Sequence, residues 1–288
     1  MKKILFIYHQ FEDYFNYFIA EAKNLKVKLD FTNYQEISLN FSNQEINIFA
    51  NSISLKEYDL IYFRNAWRNS ELSILISLYA KNNHIPVVDP VFTAGFLWID
   101  RKSFEYLTLQ KNNLPIIPSI FISNQQINLT DKMSFPLVGK YTDSSRGMGV
   151  FLVENKKELS ELFNQSDKSH LLLQAYIKNS GDYRLFVIGD EVIGAMKRAK
   201  RNKKEIKNHI LLSKESKAYI PSEEEKRIAI RATQVLNYSF AGVDLIKDEN
   251  GKISILEVNR SPHFTRVMST NKINIPRKMI RYLISASN

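Results

Sequence analysis

The stretch Phe240 to Phe264, FAGVDLIKDENGKISILEVNRSPHF, constrains the fold more than any other. Ala241 to Ile246 and Lys252 to Val258 are apolar or alternating, and the Asp-Glu-Asn-Gly between them supplies the residues of a tight connection, which predicts a β-hairpin. Side chains two apart on a strand share a face, so Glu257 and Asn259 project together and Val258 goes to the other side. Asp244 on the partner strand joins them if the register brings it opposite. Two carboxylates and an amide on one face suit Mg²⁺, a hard ion held by carboxylate and phosphate oxygens; His or Cys ligands would have pointed to zinc. A surface hairpin with solvated acids fits the same residues, and the rest of the chain has to decide between the two.

At 288 residues the chain is long enough for a large core and for two or three structural units. Hydrophobic residues at 44% and charged residues at 24% place it among globular proteins. Its longest apolar run, near Val91 to Ile99, falls far short of the roughly 20 residues that a membrane-spanning helix needs. The opening MKKILFIY reads as a buried first strand and not as a signal peptide, because His9, Gln10 and Glu12 cut the apolar run and no small-residue cleavage site follows. The chain has no cysteine, hence neither disulfide nor thiol chemistry, which fits the cytoplasm. A net charge of +10 favours an acidic partner, whether nucleotide, acidic peptide or nucleic acid, although a Lys-, Asn- and Ile-rich composition accounts for part of it.

Strand and helix alternate at the start: Ile4 to Tyr8, an amphipathic Tyr14 to Asn24, Val27 to Phe31, Tyr58 to Phe63, a helical Glu71 to Ala80, then Pro86 to Val88. This order predicts an open α/β unit with a mostly parallel sheet over residues 1–95. Ligands of such sheets sit beyond the carboxyl ends of the strands, so Arg64 is a candidate for holding an anionic substrate and equally a plain surface arginine. A second unit, residues 96–173, takes a helix Lys102 to Lys111, a linker Leu114 to Pro118, an extended Ile120 to Ile122, strands Phe135 to Tyr141 and Val150 to Val153, and a helix Lys156 to Phe163. The apolar strand His170 to Ile177 leads into the third, residues 174–288. That unit holds a hairpin of Tyr183 to Ile188 and Glu191 to Lys197, a helix Ser222 to Leu236 opened by a Ser222–Glu225 capping box, the hairpin above, and a last helix Pro276 to Ile284.

Four pieces carry chemistry. The loop KYTDSSRGMGV, Lys140 to Val150, lacks the ending of a P-loop, yet Gly147 and Gly149 allow its backbone N–H groups to approach phosphates; a plain flexible loop reads the same way. Lys140 follows an apolar run, where a lysine needs either an anion or an edge position from which it reaches water. The run LLLQAYI, Leu171 to Ile177, offers backbone groups to an adenine edge or is an ordinary core strand. In GDYRLFVIGDEVIGAMKRAK, Asp182 and Arg184 share one strand face and Met196 and Arg198 another, so two arginines on neighbouring strands can clamp a phosphoryl or carboxylate group. The basic segment Lys197 to Lys207, with Glu205 its only acid, is a solvated loop or a lip for an acidic substrate.

The order of these pieces, FPLVGK, a Ser-Gly loop ending GMGV, LLLQAYI, GDYRLFVIGDEVIGAMKR, FAGVDLI and LEVNRSP, resembles the RimK-like carboxylate-amine ligase branch of the ATP-grasp superfamily from about Asp100 to the end. The resemblance implies an N-terminal α/β domain followed by a two-subdomain ATP-grasp fold. It implies that Lys102 and Lys140 contact nucleotide phosphates, that Ser145, Arg146, Gly147 and Gly149 belong to the loop closing over them, and that Gln174, Ala175, Tyr176 and Ile177 form the adenine hinge with Asp182 nearby. Arg184 and Arg198 match residues around the transferred phosphoryl and the acyl intermediate. Asp244, Glu257 and Asn259 match the ligands of two Mg²⁺ ions, for which Mn²⁺ can substitute. Three departures fall near the substrates: Ala175 stands where an acid is usual, Asn208 is not followed by the usual glycine pair, and Arg260 and His263 replace small residues around Ser261-Pro262. Arg260 and His263 are therefore candidates, with Arg64 and Asn208, for touching an anionic substrate.

The activity that this resemblance implies is that of an ATP-dependent ligase, which activates a carboxylate as its acylphosphate and joins it to an amine, adding an amino acid to a peptide, a protein or a small acidic acceptor. Two alternatives stay open: a nucleic-acid-binding module resting on the +10 charge, which lacks aromatic-basic interleaving, and a non-catalytic ATP-binding protein, which has no need to keep all three metal-ligand candidates. No membrane partner is expected, and subunit number is left open.

Overall fold

The computed structural model describes residues 1–42, 45–93, 102–122, 133–141, 149–164, 171–199 and 215–288. Near the N-terminus, β1 (Lys3–Tyr8) and β2 (Lys28–Asn33) pair in parallel. A small antiparallel sheet follows, β3 (Ile37–Ser42), β4 (Glu45–Ala50) and β5 (Ile53–Ser54), to which the sequence pattern assigns no element, although Ile37, Leu39 and Phe41 alternate. With β6 (Leu60–Arg64) and β7 (Val87–Val88) the parallel sheet is complete in the order β2-β1-β6-β7, the expected open α/β unit. Helix α1 (Phe15–Asn24) buries Phe15, Phe18 and Ala22, with the Phe6 and Phe15 rings edge to face at 5.6 Å. The helix α2 (Ser70–Asn82) buries Ile76 and Ala80 in a different core.

After helix α3 (Lys102–Lys111) comes a second antiparallel sheet, β8 (Ser119–Ile122), β9 (Leu137–Tyr141), β10 (Val150–Val153) and β11 (Leu171–Ala175), in the order β10-β9-β11-β8. Leu159 and Leu162 of α4 (Lys156–Asn164) join Leu137, Leu171 and Leu173 in its separate core. The third sheet is β12 (Gly181–Ile188), β13 (Glu191–Ala199), β14 (Ser216–Ala218), β15 (Phe240–Lys247) and β16 (Ile253–Asn259), ordered β14-β13-β12-β15-β16. Helices α5 (Glu223–Val235), α6 (Thr265–Asn271) and α7 (Ile275–Ala286) complete the chain. The capping box of α5 forms as expected, Ser222 N donating to Glu225 Oε2 at 2.7 Å and Glu225 N to Ser222 Oγ at 3.3 Å. Gly251 closes the β15–β16 turn at φ +82°, a conformation open to glycine at little cost.

The first and third sheets are buried against one another. Ile280 and Leu283 of α7 pack with Phe6, Tyr62, Phe186 and Phe240, and the Tyr62 and Phe240 rings meet edge to face at 5.4 Å. Among the described residues, no helix is long and apolar enough to cross a membrane.

One irregularity decides what β16 presents. Val243 pairs with Val258 and Asp244 with Glu257, but Leu245 pairs with Ile255, so Leu256 is an extra residue, a β-bulge. Ile253, Ile255 and Val258 all reach the core. Strict alternation would instead place Ile253, Ile255, Glu257 and Asn259 on one face. The bulge lets the strand bury its isoleucines and still turn Glu257 and Asn259 outward.

Candidate active site

Glu257 stands opposite Asp244 and Asn259 opposite Gly242, on the sheet face that also carries Asp182, Arg184 and Arg198. Asp244 is 2% exposed and accepts two parallel bonds from Arg184, Nε to Oδ1 and Nη2 to Oδ2, each 2.7 Å; Arg198 Nη2 adds a third at 2.8 Å. Arg198 Nε also donates to Asp182. Asn259, with its amide nitrogen turned toward Glu257, donates to Glu257 Oε1 at 3.1 Å and accepts from Arg184 Nη2 at 3.2 Å. Lys102, at the start of α3, donates to the same Glu257 oxygen and lies 3.7 Å from Glu105. From Lys102 through Glu257, Asn259, Arg184, Asp244 and Arg198 to Asp182, the side chains form one continuous chain of contacts.

Electrostatics follow from that packing. Burial by itself would raise the Asp244 pKa, but Arg184 and Arg198 outweigh it and hold the carboxyl down at about 2. Burial likewise works against ionised Glu257, and Lys102 outweighs it, so this pKa also falls. Glu105 goes the other way, burial raising it more than Lys102 lowers it. Asp182 is raised by burial against the pull of Arg198. The charge of Lys140, on β9, acts on both Glu105 and Glu257, so the two lysines expected at the phosphates serve the same acids.

Among the described residues no three His, Cys, Asp or Glu side chains are grouped to hold a metal by themselves. The donor set of two ionised carboxylates and an amide oxygen nevertheless fits Mg²⁺ whose remaining positions are filled by ligand oxygens. The cations that neutralise those acids here are of the kind that a phosphate chain attracts.

The hinge is largely engaged within the protein. Ala175 N donates to Pro118 O at 3.0 Å and Tyr176 N to Pro136 O at 3.3 Å. The Gln174 side chain is buried, its Nε2 donating to Tyr106 OH and, at 3.0 Å, to Ser119 Oγ, so this amide braces the fold. Gly149 accepts from Tyr141 N at 3.0 Å, whereas Ser145, Arg146, Gly147 and Asn208 lie outside the described residues. Two substrate candidates need correction. Arg64 is 1% exposed, donating to Tyr14 OH at 3.1 Å and to Pro262 O at 2.7 Å; it fastens the first sheet to the segment after β16 and is closed to a substrate. Arg260 is 4% exposed, over the Phe92 ring at 4.4 Å and 3.8 Å from Asp89, for the same structural purpose. His263 stays half exposed, 3.9 Å from Glu12.

Glu105 and Tyr106 escape prediction from sequence. Glu105 Oε1 accepts the Val258 N–H at 2.8 Å and Tyr106 OH donates to Leu256 O at 3.2 Å. The one signal for them is the i, i+3 spacing of Lys102 and Glu105 on a helix, which puts the acid on the lysine's face.

Residues 101–283 match the family model for the RimK-like ATP-grasp domain. A probable alpha-L-glutamate ligase of Mannheimia succiniciproducens is 32% identical over 237 residues, 80% of this chain and 77% of the relative. A ribosomal protein bS6 L-glutamate ligase of Escherichia fergusonii is 28% identical over 187 residues, which span 63% of this chain and only 62% of the relative. The ATP-grasp ligase PsnB, solved with a minimal precursor, Mg and ADP, is similar in fold with a TM-score of 0.77 at 17% identity, covering 99% of this chain and 97% of that one.

Proposed function

The chain belongs to the RimK-like ATP-grasp family, and from that premise we propose that it is an ATP-dependent carboxylate-amine ligase adding an amino acid to a peptide, protein or small acidic acceptor. The observation that carries this reading is the single sheet face on which Asp244, Glu257, Asn259, Arg184 and Arg198 meet Lys102.

In this reaction the substrate carboxylate attacks the γ-phosphorus of ATP, giving an acylphosphate and ADP; the amine then displaces phosphate and leaves an amide. Lys102 and Lys140 bind phosphate oxygens. Since Ala175 and Tyr176 N–H are already taken, Ile177 N–H is the hinge donor we assign to adenine, beside Asp182. Arg184 and Arg198 leave Asp244 for the departing phosphate and the acyl oxygen, where a fixed positive charge favours the developing negative one. Asp244, Glu257 and Asn259 would hold Mg²⁺, two ions in our reading, which when bound neutralises charge on the phosphates. No side chain has to act as nucleophile. His263 and Asn208 are retained as acceptor-side candidates. L-Glutamate is the first amino acid to try, because the relatives are named for it.

The test is incubation with ATP, Mg²⁺, L-glutamate or an amino-acid panel, and acidic peptides, following ADP release and acceptor mass. ADP release that needs Mg²⁺ and an acceptor, with mass gained by the acceptor, is expected; Glu257→Ala should abolish it in a folded protein. A folded chain that neither binds magnesium nucleotide nor releases ADP with any pair would overturn the reading.

A further inference from the structure

Helix α3 does more than present Lys102. The outer edge of β16 is held at three places around its bulge: Ile255 N donates to Pro115 O at 2.7 Å, Leu256 O accepts from Tyr106 OH at 3.2 Å, and Val258 N donates to Glu105 Oε1 at 2.8 Å. A bulged residue drops out of the ladder, and a backbone group left without a partner in the interior is costly, so the Leu256 carbonyl depends on Tyr106. The Val258 amide lies between Glu257 and Asn259, and Glu105 pins it. The same segment reaches the hinge: Gln174 Nε2 donates to Tyr106 OH, and Ala175 N to Pro118 O at 3.0 Å.

Resting on the ligase reading above, we propose that Glu105 and Tyr106 are positioning residues for the reaction, holding the bulge that aims Glu257 and Asn259 and, through Gln174, joining that bulge to the nucleotide hinge. Neither touches a reacting atom. Without them β16 tends back to regular alternation, which would turn Glu257 toward the side of Ile253 and Ile255. The metal-dependent part of nucleotide binding, which needs Glu257 and Asn259 aimed together, is then weakened.

Calorimetric titration with a non-hydrolysable ATP analogue, with and without Mg²⁺, isolates that part. In Glu105→Ala and Tyr106→Phe the affinity gained on adding Mg²⁺, the ratio of the two titrations on each variant, should shrink about tenfold, the order of one or two lost buried hydrogen bonds. Glu105→Gln keeps an oxygen for the Val258 amide and should restore the gain. Turnover should fall in kcat with the acceptor KM unchanged. An undiminished Mg²⁺-dependent gain in folded Tyr106→Phe overturns the proposal, as does Glu105→Gln behaving like Glu105→Ala, which would make the charge beside Lys102 the relevant property. If Glu105→Ala does not fold, Tyr106→Phe and Glu105→Gln decide. A wild type that binds the nucleotide no better with Mg²⁺ removes the ligase reading itself, and this inference with it.

Discussion

Arg184 and Asp244 hold each other by two parallel bonds of 2.7 Å, and Arg198 closes on the same carboxylate at 2.8 Å. The face is therefore self-neutralised without nucleotide: cations suited to phosphate and an acid suited to a metal satisfy one another. On the proposed assignment, nucleotide and metal exchange those partners, so each releases what the other needs, which is a coupling between the two ligands.

Asp244→Asn tests that exchange. With the competing carboxylate gone, the metal-free ATP analogue should bind more tightly, by up to about tenfold. The Mg²⁺-dependent gain should vanish, and ADP release should fall by about a hundredfold or more. Titration calorimetry and a coupled ADP assay measure both; equal metal-free affinity in variant and wild type would show that the pair does not restrain the arginines.

Acid sensitivity follows from the same group. The folded-state pKa of Asp244 is depressed from 3.8 to about 2, so its contribution is present above the unfolded value and is lost as pH falls through the folded one, between about 4 and 2. A shift of that size corresponds to about 2 kcal/mol. Urea unfolding across that window should show a steeper loss in wild type than in Asp244→Asn, and identical slopes would contradict the assignment.

Gly242→Ala should strain the site on its own face. A Cβ there would sit 2.7 Å from Pro262 Cβ and 3.6 Å from Arg184 Nε, so the segment after β16 must move. We expect a loss of about 1–3 kcal/mol, as for overpacked cores, with weaker nucleotide binding. A thermal melt equal to that of wild type would mean that Pro262 yields freely.

Glu225→Ala is the contrasting case. Glu225 caps α5 at Ser222 and also takes Tyr219 OH at 2.9 Å and Lys247 at 3.0 Å, away from the Asp244 and Glu257 carboxylates. It should cost about 1–2 kcal/mol of stability and leave nucleotide affinity unchanged, as denaturation and titration on one preparation can check.

Local pattern alone carried a good part of this protein. The alternation of strand and helix before Asp89, the capping box of Ser222 and Glu225, the Gly251 turn and the sharing of one face by Glu257 and Asn259 depend on neighbours in the chain, so the order of residues determines them. Only the folded molecule decided the rest. The Leu256 bulge separates the face of Glu257 from that of Ile255, and no rule of strict period two contains it; the bulged stretch is held from about 150 positions earlier in the chain, by Tyr106 at Leu256 and by Glu105 at Val258. Arg64 and Arg260 likewise have the composition of anion-binding residues, but contacts with Pro262 and Phe92 enclose them. Periodicity and chemical type are properties of a short stretch, whereas register, burial and the partner of an edge are set by long-range packing, where the burial of apolar surface outweighs local preference.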